Sequence, residues 1–164
     1  MSLIESIGSQ HIDRVVQCRM KPGADLLAAI EEAVGRERIE AGIIVSGLGA
    51  LQKAVFRNLK WFPASFPARP EDRLYLEVEA PLELVSLVGW IAPRQDGGVE
   101  IHAHFSASTV EDDGVVTLGG HLTEGTICGI KTVVSIVVTA PEGVRAAHDA
   151  TTQSVDIFFS DSLA

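Results

Sequence analysis

The sequence predicts an α+β domain, mainly antiparallel β-sheet with one principal packed helix, and three observations carry that reading. Most segments alternate apolar and polar residues with a period of two, as strands do. One segment, after Asp25, switches to apolar residues three and four apart, as helices do. The chain has 164 residues, 46% of them hydrophobic and 21% charged, which suits one domain with a core large enough to stand without disulfides or a metal. A metal site, if present, is then expected to be functional. The domain is expected to span 1–164, without repeats or low-complexity tracts.

Taken in order, His11 to Met20 reads as a strand, with Ile12, Val16, Cys18 and Met20 on one parity. Pro22 and Gly23 end it. Leu26, Leu27, Ile30, Ala33 and Val34 then form one helical stripe opposite Glu31, Glu32 and Arg36, with either Gly23 or Asp25 at its start. Ala41 to Ala50 reads as a buried strand closed by a turn at Gly47-Leu48-Gly49, and Gln52 to Leu59 is expected to pair back onto it. Trp61 to Pro70, with three prolines, is a loop carrying Trp61, Phe62 and Phe66. Leu74, Leu76 and Val78 mark a half-exposed strand, and Leu82 to Ile91 a more buried one. Gly97-Gly98 turns the chain. Val99 to Val110, Val115 to Leu122, Thr126 to Ala140 and Ser154 to Phe159 complete the β set.

Composition excludes several classes of function. The longest stretch without a charged residue, Ala41 to Gln52, is twelve residues, short of the roughly 18 that a membrane span needs. The first thirteen residues hold no Lys or Arg and no sustained apolar run, so no secretory signal is expected. Cys18 and Cys128 are too few for a secreted disulfide framework, and a cytoplasmic protein with reduced thiols is expected. Thirteen Lys plus Arg against 22 Asp plus Glu give a net charge of -9. No run of basic residues gathers the positive charge, so nonspecific contact with a polyanion is disfavoured.

The residues that point to chemistry are histidines. Three of the five fall within twenty residues: His102 and His104 in Ile-His-Ala-His-Phe, and His121 in Gly-Gly-His. His102 and His104 share the polar face of their strand with Glu100, Ser106 and Ser108. The turn decides where His121 goes, because opposed residues of an antiparallel pair point to the same side. A two-residue turn at Asp112-Asp113, or a four-residue loop over Glu111 to Gly114, sets His121 opposite His104. A turn at Asp113-Gly114 sets it opposite Ser106. A three-residue turn, or a bulge at Gly119-Gly120, sends it to the other face.

Three converging neutral imidazoles suit zinc, with nickel, manganese or iron left open by ligand type. Three protein ligands leave one position for water, whose pKa the metal lowers, so metal-assisted hydration or hydrolysis is the simplest chemistry if the protein is an enzyme. Glu124, three residues after His121, and Glu100 are the candidates for orienting or deprotonating that water. Ser46, Gly47 and Gly49 are candidate ligand-binding residues, their glycines permitting a tight turn or a close backbone approach to a bound group. Gln52 stands where a dinucleotide fingerprint needs its third glycine, and Ser46 is in no Gly-x-Ser-x-Gly elbow. A cupin also uses His-x-His on a strand, but here the third histidine follows after only sixteen residues and no Pro-x-Gly precedes it.

Several motifs in order resemble one family. Lys21-Pro22-Gly23-Ala24-Asp25-Leu26-Leu27 and the helix after it, Ala41 to Leu51, His102-Ala103-His104 and Gly119-Gly120-His121-Leu122-x-x-Gly125 are similar to those of the plants-and-prokaryotes-conserved (PPC) domain, over about residues 12 to 140. The resemblance implies an α/β sandwich-like subunit that assembles as a homotrimer. It also implies a metal, often zinc, on a histidine cluster matched here by His102, His104 and His121. In plant relatives the domain is joined to an AT-hook and supports DNA binding. This chain has no Arg-Gly-Arg-Pro hook, and the plant motif Gly-Arg-Phe-Glu-Ile-Leu is replaced around Ala80-Pro81-Leu82-Glu83-Leu84-Val85. The expectation is therefore a trimeric metal-binding protein with a small-molecule ligand, and DNA binding or a non-catalytic interaction module as the alternatives.

Overall fold

Ten strands and one α-helix make up the computed structural model, which describes residues 3–160. In chain order these are β1 (Ile12–Arg19), α1 (Leu26–Glu37), β2 (Ala41–Leu59), β3 (Arg73–Val78), β4 (Leu82–Pro93), β5 (Val99–Glu111), β6 (Gly114–Leu122), β7 (Ile127–Cys128), β8 (Val133–Thr139), β9 (Val144–Asp149) and β10 (Ser154–Phe159). The main sheet runs β1-β8-β2-β4-β5-β6, with β3 and β7 also on β2, and every pairing in it is antiparallel. The mainly antiparallel sheet with one helix is as the residue pattern predicts.

The helix begins at Asp25, not Gly23. One Asp25 oxygen accepts from the Ala28 N–H at 3.0 Å, capping the first turn, and the other accepts from Gly125 at 2.6 Å, tying the helix to the loop after β6. Leu26, Ile30 and Val34 are buried, and the helix stops where Arg38 turns left-handed at φ 52°.

The Gly47-Leu48-Gly49 turn does not form. β2 runs unbroken for 19 residues, so Gln52 to Leu59 cannot fold back on Ala41 to Ala50. The two glycines serve close packing instead. A Cβ at Gly47 would stand 2.5 Å from the Leu87 Cβ, and one at Gly49 (φ +128°) 2.4 Å from the Lys131 carbonyl. Extension lets β2 do two jobs. Its first half pairs with β4 and β8, its second half with β3 and β6. The succession β2-β4-β5-β6-β2 therefore closes into a ring.

One core cluster joins the helix stripe to Leu51, Phe56, Leu82, Leu87, Phe105 and Leu122. Phe56 and Phe105 stack with centroids 4.7 Å apart, and burying each contributes roughly 1.5–3 kcal/mol. Thr126 to Ala140 is two strands rather than one, broken at Lys131, whose φ is 58°. The β9–β10 hairpin, only half foreseen, adds a smaller cluster in which Val144 and Ala146 meet Ala41 and Ala92, with Trp90 packed against them.

Candidate metal centre

The β5–β6 hairpin sets the geometry. Glu111 pairs with Gly114 and His104 with His121, which is the register of a two-residue turn at Asp112-Asp113. Those residues take φ of 46° and 60°, the double left-handed conformation of a type I′ turn, which Asp tolerates better than most residues. All three imidazoles thus share one face.

The ring nitrogens converge. His102 Nε2 and His104 Nε2 are 3.2 Å apart, close to the roughly 3.3 Å separating two nitrogens bound tetrahedrally at about 2.0–2.1 Å. One ligand atom from each of His102, His104 and His121 lies within 4.8 Å of the others. His102 and His121 are half-buried and His104 exposed. The His121 ring stands edge-on to both others, with centroids at 4.6 and 5.1 Å.

Neighbouring strands complete the wall. The Trp90 indole of β4 stacks on His102 with centroids 5.2 Å apart and planes at 10°, and Val88 pairs with His104. On the other side β2 places Arg57 directly opposite His121, and β3 places Tyr75 opposite Arg57. A single row of partners, Val88, His104, His121, Arg57 and Tyr75, therefore crosses five strands on one face.

The electrostatics keep the imidazoles neutral, as metal ligands must be. Burial pushes the His121 pKa down to about 3, helped by the positive charge of Arg57 and then by His102, His104 and Arg73. His104 is lowered by burial and Arg57. His102 is lowered by burial, His104 and Arg57, against a smaller upward pull from Asp156. Three neutral nitrogen donors at this spacing fit a borderline divalent ion.

The structure sorts the other expected residues. Glu124 lies outside the cluster, exposed, lining an open cleft of about 500 Å³ that it shares with His121, Arg57, Tyr75, Lys53 and Glu77. Glu100 is engaged elsewhere, its carboxylate 3.0 Å from Arg94. Ser46 pairs with Ser135 of β8, and Gly47 and Gly49 lie mid-strand against Leu87 and Lys131. The turn expected at these residues is thus absent. Arg57, Tyr75 and Trp90 went unrecognised in the sequence. The available signal was one arginine inside the apolar run Ala54 to Leu59, with nothing to say which strand it would face.

The profile of the Plants and Prokaryotes Conserved (PCC) domain matches residues 7–141. Among solved structures, a metal-containing protein from Archaeoglobus fulgidus has a TM-score of 0.71 at 23% identity, covering 92% of this chain and 96% of that one. A protein from Bacteroides thetaiotaomicron, provisionally called DNA-binding, gives 0.69 at 16% identity, covering 92% and 97%. At such identities the likeness is one of fold. The bifunctional protein GlmU of Synechococcus sp. strain JA-3-3Ab is 31% identical over 125 residues, 76% of this chain, but the chain spans only 17% of that protein's length. With a match running from residue 7 to residue 141, the chain belongs to the PCC domain family.

Proposed function

We propose that this chain is a cytoplasmic, homotrimeric protein that holds a divalent transition metal, zinc by the character of its ligands, on His102, His104 and His121. The position left open by three protein ligands binds or transforms a small molecule. The observation that carries this reading is the convergence of three neutral imidazoles from one rigid hairpin, with Nε2 of His102 and His104 at 3.2 Å. A structural site would close its fourth position with protein, whereas a site serving a ligand keeps it free. Such an ion supplies a Lewis-acidic position able to polarise an oxygen or acidify water, and hydration or hydrolysis is the simplest chemistry it serves. Glu124, at the rim of the cleft beside His121, is the candidate proton acceptor.

The experiment is elemental analysis of protein purified without added metal, for the wild type and His104→Ala. Roughly one metal per chain is expected in the wild type, with most of it lost in the variant at unchanged circular dichroism. Equal metal content in the two would remove the site.

Duplex DNA has weaker support. The net charge is -9, and Arg36, Lys53 and Arg94 each face a carboxylate within 3.3 Å. That net negative charge works against replacing the counterions of a phosphate backbone.

A further inference from the structure

Arg57 carries an uncompensated charge at the edge of the histidine site. Its guanidinium is half-buried, and among the described residues no carboxylate lies within ion-pair distance of it. Facing it across the strands stands Tyr75, a neutral phenol. Taking a guanidinium partly out of water with no counter-charge is unfavourable, and proteins resolve this with a partner. The nearby carboxylates do not serve. Glu77 is committed to Lys53 at 2.6 Å, and Glu124 stays exposed at the rim. Arg73, at the start of β3, adds positive charge felt at both Arg57 and His121.

Three neutral imidazoles do nothing to offset the charge of a divalent ion. With Arg57 paired to His121 across the strands, an occupied centre would place positive charge on both sides of one gap. His121, Arg57 and Tyr75 all line one cleft of about 500 Å³, on the Arg57 side of the cluster. A neutral ligand would leave the repulsion standing, and an anion would relieve it on both sides. Arginine's planar fork matches the paired oxygens of a carboxylate or a phosphate.

We propose that the ligand of this site is a small oxyanion, a carboxylate or phosphate group, gripped by Arg57 while it reaches the position the three histidines leave open. The proposal rests on the metal reading above and names its ligand class. Arg57 acts here as the recognition residue, with Tyr75 beside it on the same face.

The test uses cobalt(II) in place of the native metal, because its visible absorption reports a change of ligand without any assay of turnover. Cobalt uptake is measured first, on wild type, Arg57→Gln and Arg57→Met. Acetate and, separately, methyl phosphate are then titrated into each loaded protein. Both variants are expected to take up cobalt at least as well as wild type, since a repelling charge is gone. At least one of the two anions should perturb the wild-type spectrum saturably, and both variants should bind it at least ten-fold more weakly. Arg57→Met keeps the side chain's apolar stem, so it gives the answer if Arg57→Gln does not fold. Cobalt uptake with no response to either anion, or with the same affinity in the variants, overturns the anion proposal alone. Failure of the wild type to take up cobalt overturns the metal reading and this proposal with it, before any anion is added.

Discussion

His121 shows how much a single side chain depends on pairings remote in sequence. Its neighbours on the face, Arg57 from β2 and His104 from β5, arrive from opposite sides. Burial and their charges hold its pKa down to about 3, against about 6.5 in an unfolded chain. Between these values the unfolded chain takes up a proton that the folded one refuses, so stability falls with falling pH and is unaffected above about 6.5. His102 and His104 shift the same way, with Asp156 opposing only at His102. Metal-free wild type is therefore expected to lose thermal stability more steeply than His121→Gln as the pH drops from 6.5 to 4. Parallel melting curves across that range would show that the imidazole is not held neutral by the fold. The side taken by His121 hung on the length of the turn, whereas the shared face of His102 and His104 was legible from their parity. Arg57 was not, because ring closure through β2 and β6 joins residues more than sixty positions apart and leaves no local periodic trace.

Among the elements, the β5–β6 hairpin gave up its secret only in part. Residue pattern narrowed its turn to alternatives that mostly kept the trio together, and the structure selects Asp112-Asp113 over the Asp113-Gly114 signal. The choice sets Leu118 opposite the buried Ala107, so core packing on the inner face outweighs the preference of glycine for a turn. Two left-handed aspartates are a tolerable but imperfect turn. Replacing Asp112-Asp113 by Asn-Gly is expected to raise stability by about 0.5–1 kcal/mol, read as a higher Tm, without altering metal content. A lower Tm, or lost metal, would mean that the register depends on the aspartates themselves. The turn expected at Gly47 to Gly49 failed for a related reason. Glycine marks close backbone approach as readily as a bend, and only the partner strands, β4 and β8, decide between them. β9 escaped notice because its inward residues include alanines, too small to set up a strong alternation.

At the scale of the molecule, the histidine face is more apolar than water favours. Val15, Val137, Ile43, Trp90 and His102 are successive partners across β1, β8, β2, β4 and β5, and Val15 and Ile43 are 60% and 45% exposed. Val88, on the same face, is 51% exposed. A contiguous patch of this kind signals association, which is the physical support for the proposed trimer. Wild type is expected to sediment at the mass of three chains and Ile43→Glu at that of one, since a buried carboxylate without a partner is costly. A monomeric wild type, or a trimer indifferent to the glutamate, would move the interface off this face. Fold class, helix and metal candidates could all be read from the chain beforehand. The surroundings of the site could not, because they are assembled from β2, β3 and β4, whose order in the sheet is a property of the whole.

The unbroken course of β2 has a bearing on how the protein breathes. Because the same 19 residues pair with β4 and β8 at one end and carry Arg57 at the other, neither end can loosen without disturbing its partner strands. Slow amide exchange is expected along the paired length of the strand, and Arg57 inherits the rigidity of that strand.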